Sequence, residues 1–327
     1  MALTLTKKLL TLIIFLLLLS IIVFWLARLA PGDPLTAYYG DAVERMNDSQ
    51  RAAAISRLAL DQPIAVQYFT WLCNALTGDF GISHQYKQNV LDIIVKLWKN
   101  TLLLGGISYI LTFVFAILLG VFCAAREGGT ADNIIYRVGT ATSVIPSFFI
   151  ALIAILIFGV NLKILPTGGA YSIGGGGFFD RAVHLIMPVT VMVLSHLWYY
   201  AYMIRNRIIE ELSRDYVLLL QVKRLSGARI LFRHCLRNIL PTLITLMAVS
   251  VPHILAGTYI VEMVFSYPGI GTLTFESAQY RDYNMLSVLT LLTGFIVLVC
   301  NMAGQALSEW LDPRVRHDNT SKGDADE

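Results

Sequence analysis

Residues Thr101–Ala125 read TLLLGGISYILTFVFAILLGVFCAA, 25 positions without an Asp, Glu, Lys or Arg. At a rise of about 1.5 Å per residue, a helix of that length covers roughly 37 Å, enough to cross the hydrocarbon of a bilayer with some tilt. Inside that layer the backbone must satisfy its own hydrogen bonds, so the stretch is predicted to be helical. Five further stretches are equally free of charge and long enough to span: Leu9–Ala27, Val138–Leu162, Leu185–Ile204, Asn238–Val261 and Tyr283–Ser308. The expected fold class is an all-α membrane protein with six transmembrane helices. Pro146, Pro188 and Pro252 fall inside spans, and each is expected to mark a kink or a broken turn packed against protein.

Composition agrees. Of 327 residues, 56% are hydrophobic and only 14% are charged, against roughly a quarter in an ordinary soluble domain. There are too few charges to cover a soluble surface, so much of the surface must face lipid. The net charge of +3 is small and unevenly spread, which points away from nucleic acid. Cys73, Cys123, Cys235 and Cys300 share no close spacing. They indicate neither a metal site nor a disulfide framework, and read as buried free thiols.

Lys7 and Lys8 precede the first stretch, as in a signal peptide, but its uncharged run of 19 residues is longer than a usual signal core. No small-x-small cleavage pattern follows, so an uncleaved first helix is expected. Orientation follows the basic residues near the spans. The segment between the fourth and fifth spans carries Arg205, Arg207, Arg214, Lys223, Arg224, Arg229, Arg233 and Arg237, eight basic residues in 33 against three acidic ones. Arg126 and Arg137 lie between spans two and three, and Arg314 and Arg316 follow span six. All fall on the side of Lys7 and Lys8, which makes both termini cytoplasmic in a multi-pass protein of the cell membrane.

The resulting division is an N-terminal helix over residues 1–28, a large extracytoplasmic segment over 29–100, a membrane core over 101–311 containing a cytoplasmic loop over 205–240, and a cytoplasmic tail over 312–327, of which the polar stretch Asp318–Glu327 reads as disordered. In the outer segment, Tyr68, Trp71, Leu72, Ala75 and Leu76 recur at helical spacing, as do Val90, Leu91, Ile94, Leu97 and Trp98. Such helices lie on the membrane or pack in a small outer cap. The run Gly174–Gly177 reads as a flexible outer loop.

No phosphate-binding loop G-x-x-x-x-G-K-[ST] occurs, nor H-E-x-x-H, nor a G-x-S-x-G nucleophile elbow. The chain itself is not expected to be an enzyme or to hydrolyse ATP. No metal site and no cofactor are expected in it.

The loop Arg205–Pro241 is long for a simple connection. In it Val217, Leu220 and Leu225, then Ile230, Leu231, Cys235 and Leu236, alternate with charges, and Ser226-Gly227 separates the two runs. This reads as two short helices joined by a turn, the second leading into span five. A solvated positive-inside loop accounts for the arginines but not for the apolar residues between them. A mixed surface of that kind suits docking of a soluble partner.

This loop resembles the cytoplasmic signature loop of permease subunits of type I ABC importers, in particular the dipeptide, oligopeptide and nickel permease group. That group shows D-Y-V-x-x-A-x-A-K-G-L-S and then R-H-x-L-R-N-x-L-P. Here the matching residues are Asp215-Tyr216-Val217, Lys223, Leu225-Ser226 and Arg233-His234-Cys235-Leu236-Arg237-Asn238-Ile239-Leu240-Pro241. Other landmarks stand in the family's order: Ala30-Pro31-Gly32-Asp33-Pro34, Leu60-Asp61-Gln62-Pro63, Gly78-Asp79-Phe80-Gly81-Ile82-Ser83, Glu262, Phe265-Ser266-Tyr267-Pro268-Gly269-Ile270-Gly271, Arg281-Asp282-Tyr283 and Asp312-Pro313-Arg314. The likeness runs from about residue 9 to 316. One position departs: the family glycine of K-G-L-S is Arg224 here. Either Gly227 supplies the turn or the docking geometry changes.

The resemblance implies a type I importer permease fold in a heterodimer of two related permeases, with two cytoplasmic ATP-binding subunits and an extracytoplasmic substrate-binding protein. It implies that Asp215, Tyr216, Val217, Lys223, Leu225, Ser226, Gly227, His234, Arg237 and Asn238 belong to the ATPase-coupling element, and that the cargo is a peptide, nickel or another metal chelate. Polar residues inside spans are costly and mark a path or a helix-helix hydrogen bond. They are His196, Ser250, His253 and Asn301, with Glu262 at the outer end of span five. Met187, Met192, Met203 and Met247 read as apolar packing rather than a metal path. The alternative function is a non-transporting membrane receptor or scaffold that docks a soluble partner.

Overall fold

The computed structural model describes residues 2–29, 35, 39–57 and 60–311. The landmarks at Ala30–Pro34 and Asp312–Arg314, with Arg314 and Arg316, lie outside them. The helices, in chain order, are α1 (Ala2–Leu29), α2 (Asp48–Arg57), α3 (Ile64–Leu76), α4 (Val90–Ala124), α5 (Thr130–Ser143), α6 (Ser147–Ala154), α7 (Phe178–Leu212), α8 (Asp215–Val222), α9 (Gly227–Arg229), α10 (Leu236–Val264), α11 (Ile270–Gln279) and α12 (Tyr283–Leu311). Wider π-type turns continue α6 over Ile155–Asn161 and join α9 to α10 over Ile230–Cys235. Among the described residues the extended pairing is one isolated bridge, Ile82 with Asn89.

Five helices are long and apolar enough to cross a membrane: Lys8–Ala27, Val90–Ala124, Phe178–Leu212, Gly227–Val264 and Tyr283–Leu307. The bent pair Thr130–Thr142 and Ser147–Asn161, which meet at 95°, makes a sixth where its two limbs count as one broken span. The predicted single span Val138–Leu162 is therefore two limbs. Pro146 cannot donate an amide proton and drives the residue before it out of helical backbone. It sits at φ −58°, ψ 140° and starts α6 instead. Pro188 and Pro252 break no helix: both lie inside continuous helices.

The described chain forms two compact units. The first comprises Met1–Thr101 and Pro268–Val299. In it the run Val90–Trp98, expected as a separate surface or capping helix, is the beginning of the 35-residue α4. Its apolar face buries Val90, Ile93 and Ile94 with Leu273, Met285, Val288 and Leu289. Each fully buried side chain of this size contributes about 1.5–3 kcal/mol. Next to this core, the Gly78–Ser83 and Arg281–Tyr283 landmarks meet. The Ser83 hydroxyl donates to Asp282 Oδ2, Gln85 N donates to the same oxygen at 3.3 Å, and Asn284 Nδ2 donates to Ile82 O at 3.1 Å. Tyr86 donates to Glu276, and burial together with that carboxylate pushes its phenol well above the usual range.

The second unit comprises Leu102–Tyr267 and Cys300–Glu327. Its core runs from Leu104 and Phe113 through Met192, Ile204 and Ile208 to Ile254, Val261 and Phe265. Small residues set the helix approach: a Cβ on Gly120 would stand 2.9 Å from Ile204, and one on Gly257 2.8 Å from the His196 ring. The four cysteines are free thiols; Cys123 and Cys235 are buried as expected, whereas Cys73 is exposed.

Candidate functional site

The loop after α7 folds as two helical pieces around a core of its own. α8 turns Val217 inward, and Val217, Ile230 and Cys235 are buried together with Leu212, Tyr216, Leu220 and Leu225 packed around them. One carboxylate organises the polar edge. Glu211 Oε1 accepts from the Tyr216 hydroxyl at 2.8 Å and from Asn238 Nδ2 at 3.0 Å. That carboxylate thus joins the end of α7, the start of α8 and the start of α10. Burial first, then Glu211, raise the Tyr216 phenol above its ordinary range.

α8 ends in a Schellman turn. Arg224 N donates to Gln221 O at 2.8 Å and Leu225 N to Leu220 O at 3.2 Å, with the apolar pair Leu220 and Leu225 in the same cluster. The position that must turn left-handed is Arg224, at φ +56°. Arg224 thus carries the backbone conformation of the family glycine, and the turn has not moved to Gly227. Gly227 instead opens α9, capped by the Ser226 hydroxyl, which accepts from Arg229 N.

Of the ten residues expected in this element, Tyr216, Val217, Leu225 and Asn238 hold the loop together. Asp215, Lys223, Ser226, Gly227 and Arg237 are exposed, and His234 is half-buried. The face that α8 offers outward is apolar: Leu218, Leu219 and Val222 are 61%, 63% and 78% exposed, and Phe232 is exposed beside the turn. Sequence reasoning missed these four residues and Glu211. An eight-residue helix reading D-Y-V-L-L-L-Q-V has too little periodicity to separate its faces.

A second fixed point lies at the connection between α4 and α5. Asp132 on α5 is buried and receives Arg205 of α7 in a two-pronged ion pair, Nε to Oδ1 at 2.7 Å and Nη2 to Oδ2 at 2.5 Å, with Gly128 N at 3.1 Å.

The candidates for the path do not form one cluster. Ser250 is buried and donates to Met247 O at 2.6 Å, a carbonyl that also accepts from Tyr109 at 2.8 Å. His196 Nδ1 donates to Met192 O at 2.9 Å, and its ring faces Gly257. Both are satisfied within the helices. His253 is exposed on α10, on one stripe with Thr242, Thr245, Val249 and Ala256. Glu262 is fully buried close to Tyr267, which Arg181 also approaches. Asn301 is half-buried on α12. The connection before α7 is tied down at its stem rather than free: Ser172 donates to Asp180 Oδ1 at 2.6 Å, and His184 Nδ1 donates to the Gly168 and Gly169 carbonyls at 3.0 and 3.1 Å.

Two family descriptions match the chain. Residues 116–317 match the binding-protein-dependent transport system inner membrane component, and residues 1–105 match the N-terminal membrane component of the same systems. The oligopeptide transport system permease protein AppB of Bacillus subtilis is 33% identical over 91% of this chain and 94% of its own length. The di/tripeptide permease protein DppB of Pseudomonas aeruginosa is 31% identical over 91% and 94%. The metal-staphylopine import system permease protein CntB of Staphylococcus aureus is 27% identical over 91% and 93%. Among solved structures, a chain of the MetNI methionine ABC transporter in inward-facing conformations superposes with a TM-score of 0.54 at 14% identity, over 68% of this chain and 97% of that one. At that identity the likeness concerns the fold alone. The chain belongs to the family of binding-protein-dependent transport system inner membrane components, the multi-pass permeases of ABC importers.

Proposed function

We propose that this permease forms half of the import path for small peptides and receives the ATP-driven motion through α8. The observation that carries the coupling role is the outward apolar face Leu218, Leu219 and Val222, on a helix whose opposite side is locked to α7 and α10. Exposed apolar residues among arginines suit a groove on a soluble ATPase better than open water. In this reading both termini and the 205–240 loop are cytoplasmic, and the partners are a second permease, two ATP-binding subunits and an extracytoplasmic binding protein. The ATP chemistry belongs to those subunits. Alternation between inward-open and outward-open states then follows from closure of the ATPase pair, with the polar stripe of His253, Thr242 and Thr245 facing the path or the second permease.

Peptide cargo is favoured by the relatives with 30% identity or more, which are named as peptide permeases; a more distant one is named for metal-staphylopine import. Uptake of labelled di- and tripeptides, and of nickel, in a strain lacking this chain tests the assignment. Loss of peptide uptake, restored by the intact chain, is expected. Loss of nickel uptake alone would transfer the cargo to the metal class, and loss of neither would refute both.

A further inference from the structure

The helix α3 is charge-free over Ile64–Leu76 and is not one of the crossings. At about 1.5 Å per residue its 13 residues cover roughly 20 Å, too short for the hydrocarbon. Charged residues stand outside both ends, Asp61 before and Asp79 after, so the chain enters and leaves it through polar ground. One side of α3 packs on α1. The hydroxyls of Tyr68 and Ser20 share a hydrogen bond at 2.8 Å, and the Phe24 ring meets Tyr68 edge-on at 5.4 Å and Trp71 at 5.7 Å.

That contact fixes a depth. Ser20 lies seven residues before Ala27, the last residue of the charge-free run of α1. At helical rise this is about 10 Å inside the apolar run, the depth at which interfacial helices settle. The rest of α3 is bare and apolar: Phe69 and Leu76 are 63% and 79% exposed, and Val66 is also exposed. On its own far side α1 exposes Leu18, Ile22, Trp25 and Leu26, the surface of a membrane-crossing helix. Two polar side chains of α3 turn back on the chain itself: Thr70 donates to Val66 O at 2.9 Å and Gln67 Nε2 to Gln62 O at 3.0 Å.

We propose that α3 is an interfacial helix embedded in the lipid beside the C-terminal end of α1, with Val66, Phe69 and Leu76 against acyl chains, rather than part of a water-exposed outer cap. The contact of Tyr68 with Ser20 sets the bare face of α3 at a depth inside the apolar run of α1, which selects lipid as its occupant.

The test uses the assembled transporter in lipid nanodiscs, with Cys73 and Cys300 replaced by Ser. A nitroxide is attached at Phe69→Cys, with Val66→Cys as a second site should the first perturb packing and Leu18→Cys as the lipid reference. Collision of the label with oxygen and with a water-soluble nickel chelate is read by electron paramagnetic resonance. The expected result is a several-fold excess of oxygen over nickel collisions at both α3 sites, matching Leu18. A label open to the nickel chelate would overturn the proposal in favour of an aqueous cap. A label shielded from both reagents would also overturn it, in favour of a protein partner.

Discussion

The hydroxyl of Ser83 donates to the carboxylate of Asp282, 199 positions later in the chain, and both residues are buried. Asp282 also accepts from Gln85 N and, through Oδ1, from Met285 N at 3.2 Å, which caps α12. A single side chain therefore anchors the loop before α4 and begins the last membrane helix. Ser83→Ala is expected to cost about 1.5–3 kcal/mol, as befits a hydrogen bond to a charged group. Asp282→Ala is expected to cost more, since it strands three donors. Thermal unfolding of the detergent-solubilised protein, followed by tryptophan fluorescence, ranks the two; equal or negligible shifts would contradict the anchoring role.

Arg205 and Asp132 form a comparable lock between α7 and α5. Arg205→Ala leaves a buried carboxylate without its partner and is expected to destabilise by roughly 3–5 kcal/mol. Arg205→Lys is expected to recover only part of this, because a lysine cannot supply the two parallel donors. Full recovery by lysine would mean that charge alone matters at this site.

The left-handed backbone at Arg224 makes an unusual prediction for a surface arginine. A non-glycine residue there costs about 1–2 kcal/mol, while glycine costs about 0.5–1 kcal/mol of added freedom in the unfolded chain. Arg224→Gly should thus be neutral or slightly stabilising, and Arg224→Val clearly destabilising. The unfolding midpoints of the two variants are the measurement, and an Arg224→Gly protein well below the parent would remove the argument.

On α8 the two faces should separate function from folding. Leu219→Glu and Val222→Glu are expected to leave the unfolding midpoint within a degree or so of the parent, as surface changes do, yet to abolish ATP-coupled uptake. Val217→Glu puts a charge into the loop's own core and is expected to lower stability and the yield of assembled complex. Transport that survives Val222→Glu together with Leu219→Glu would exclude this face from coupling.

The membrane crossings were legible because hydrocarbon tolerates almost no charge, so Thr101–Ala125 and its companions announce themselves by what they lack. The prolines were less readable. Pro146 breaks its helix while Pro188 and Pro252 do not, and the outcome depends on the packing around each freed carbonyl rather than on local sequence. The apolar period of Val90–Trp98 was read correctly as helical. A helix lying on a membrane and the extension of a crossing helix share that period, so only the partners Leu273 and Leu289 distinguish them. The loop after α7 was singled out by its motif, and Arg224 was correctly marked as the position where a positive φ is at issue. Its inward and outward faces were not separable, and the bond from Asp132 to Arg205 spans 73 positions, a distance over which charge counting sees only two unrelated residues.

Glu211 has one more consequence. Because Tyr216 and Asn238 both bind its Oε1, the connection from α7 through α8 to α10 has no slack. In the proposed coupling role, a push on α8 would reach two membrane helices at once rather than be absorbed by bending of the loop. Loosening that joint by Glu211→Ala is then expected to leave the outward face of α8 in place and let the stroke dissipate, so that fuel is burned while cargo stays outside.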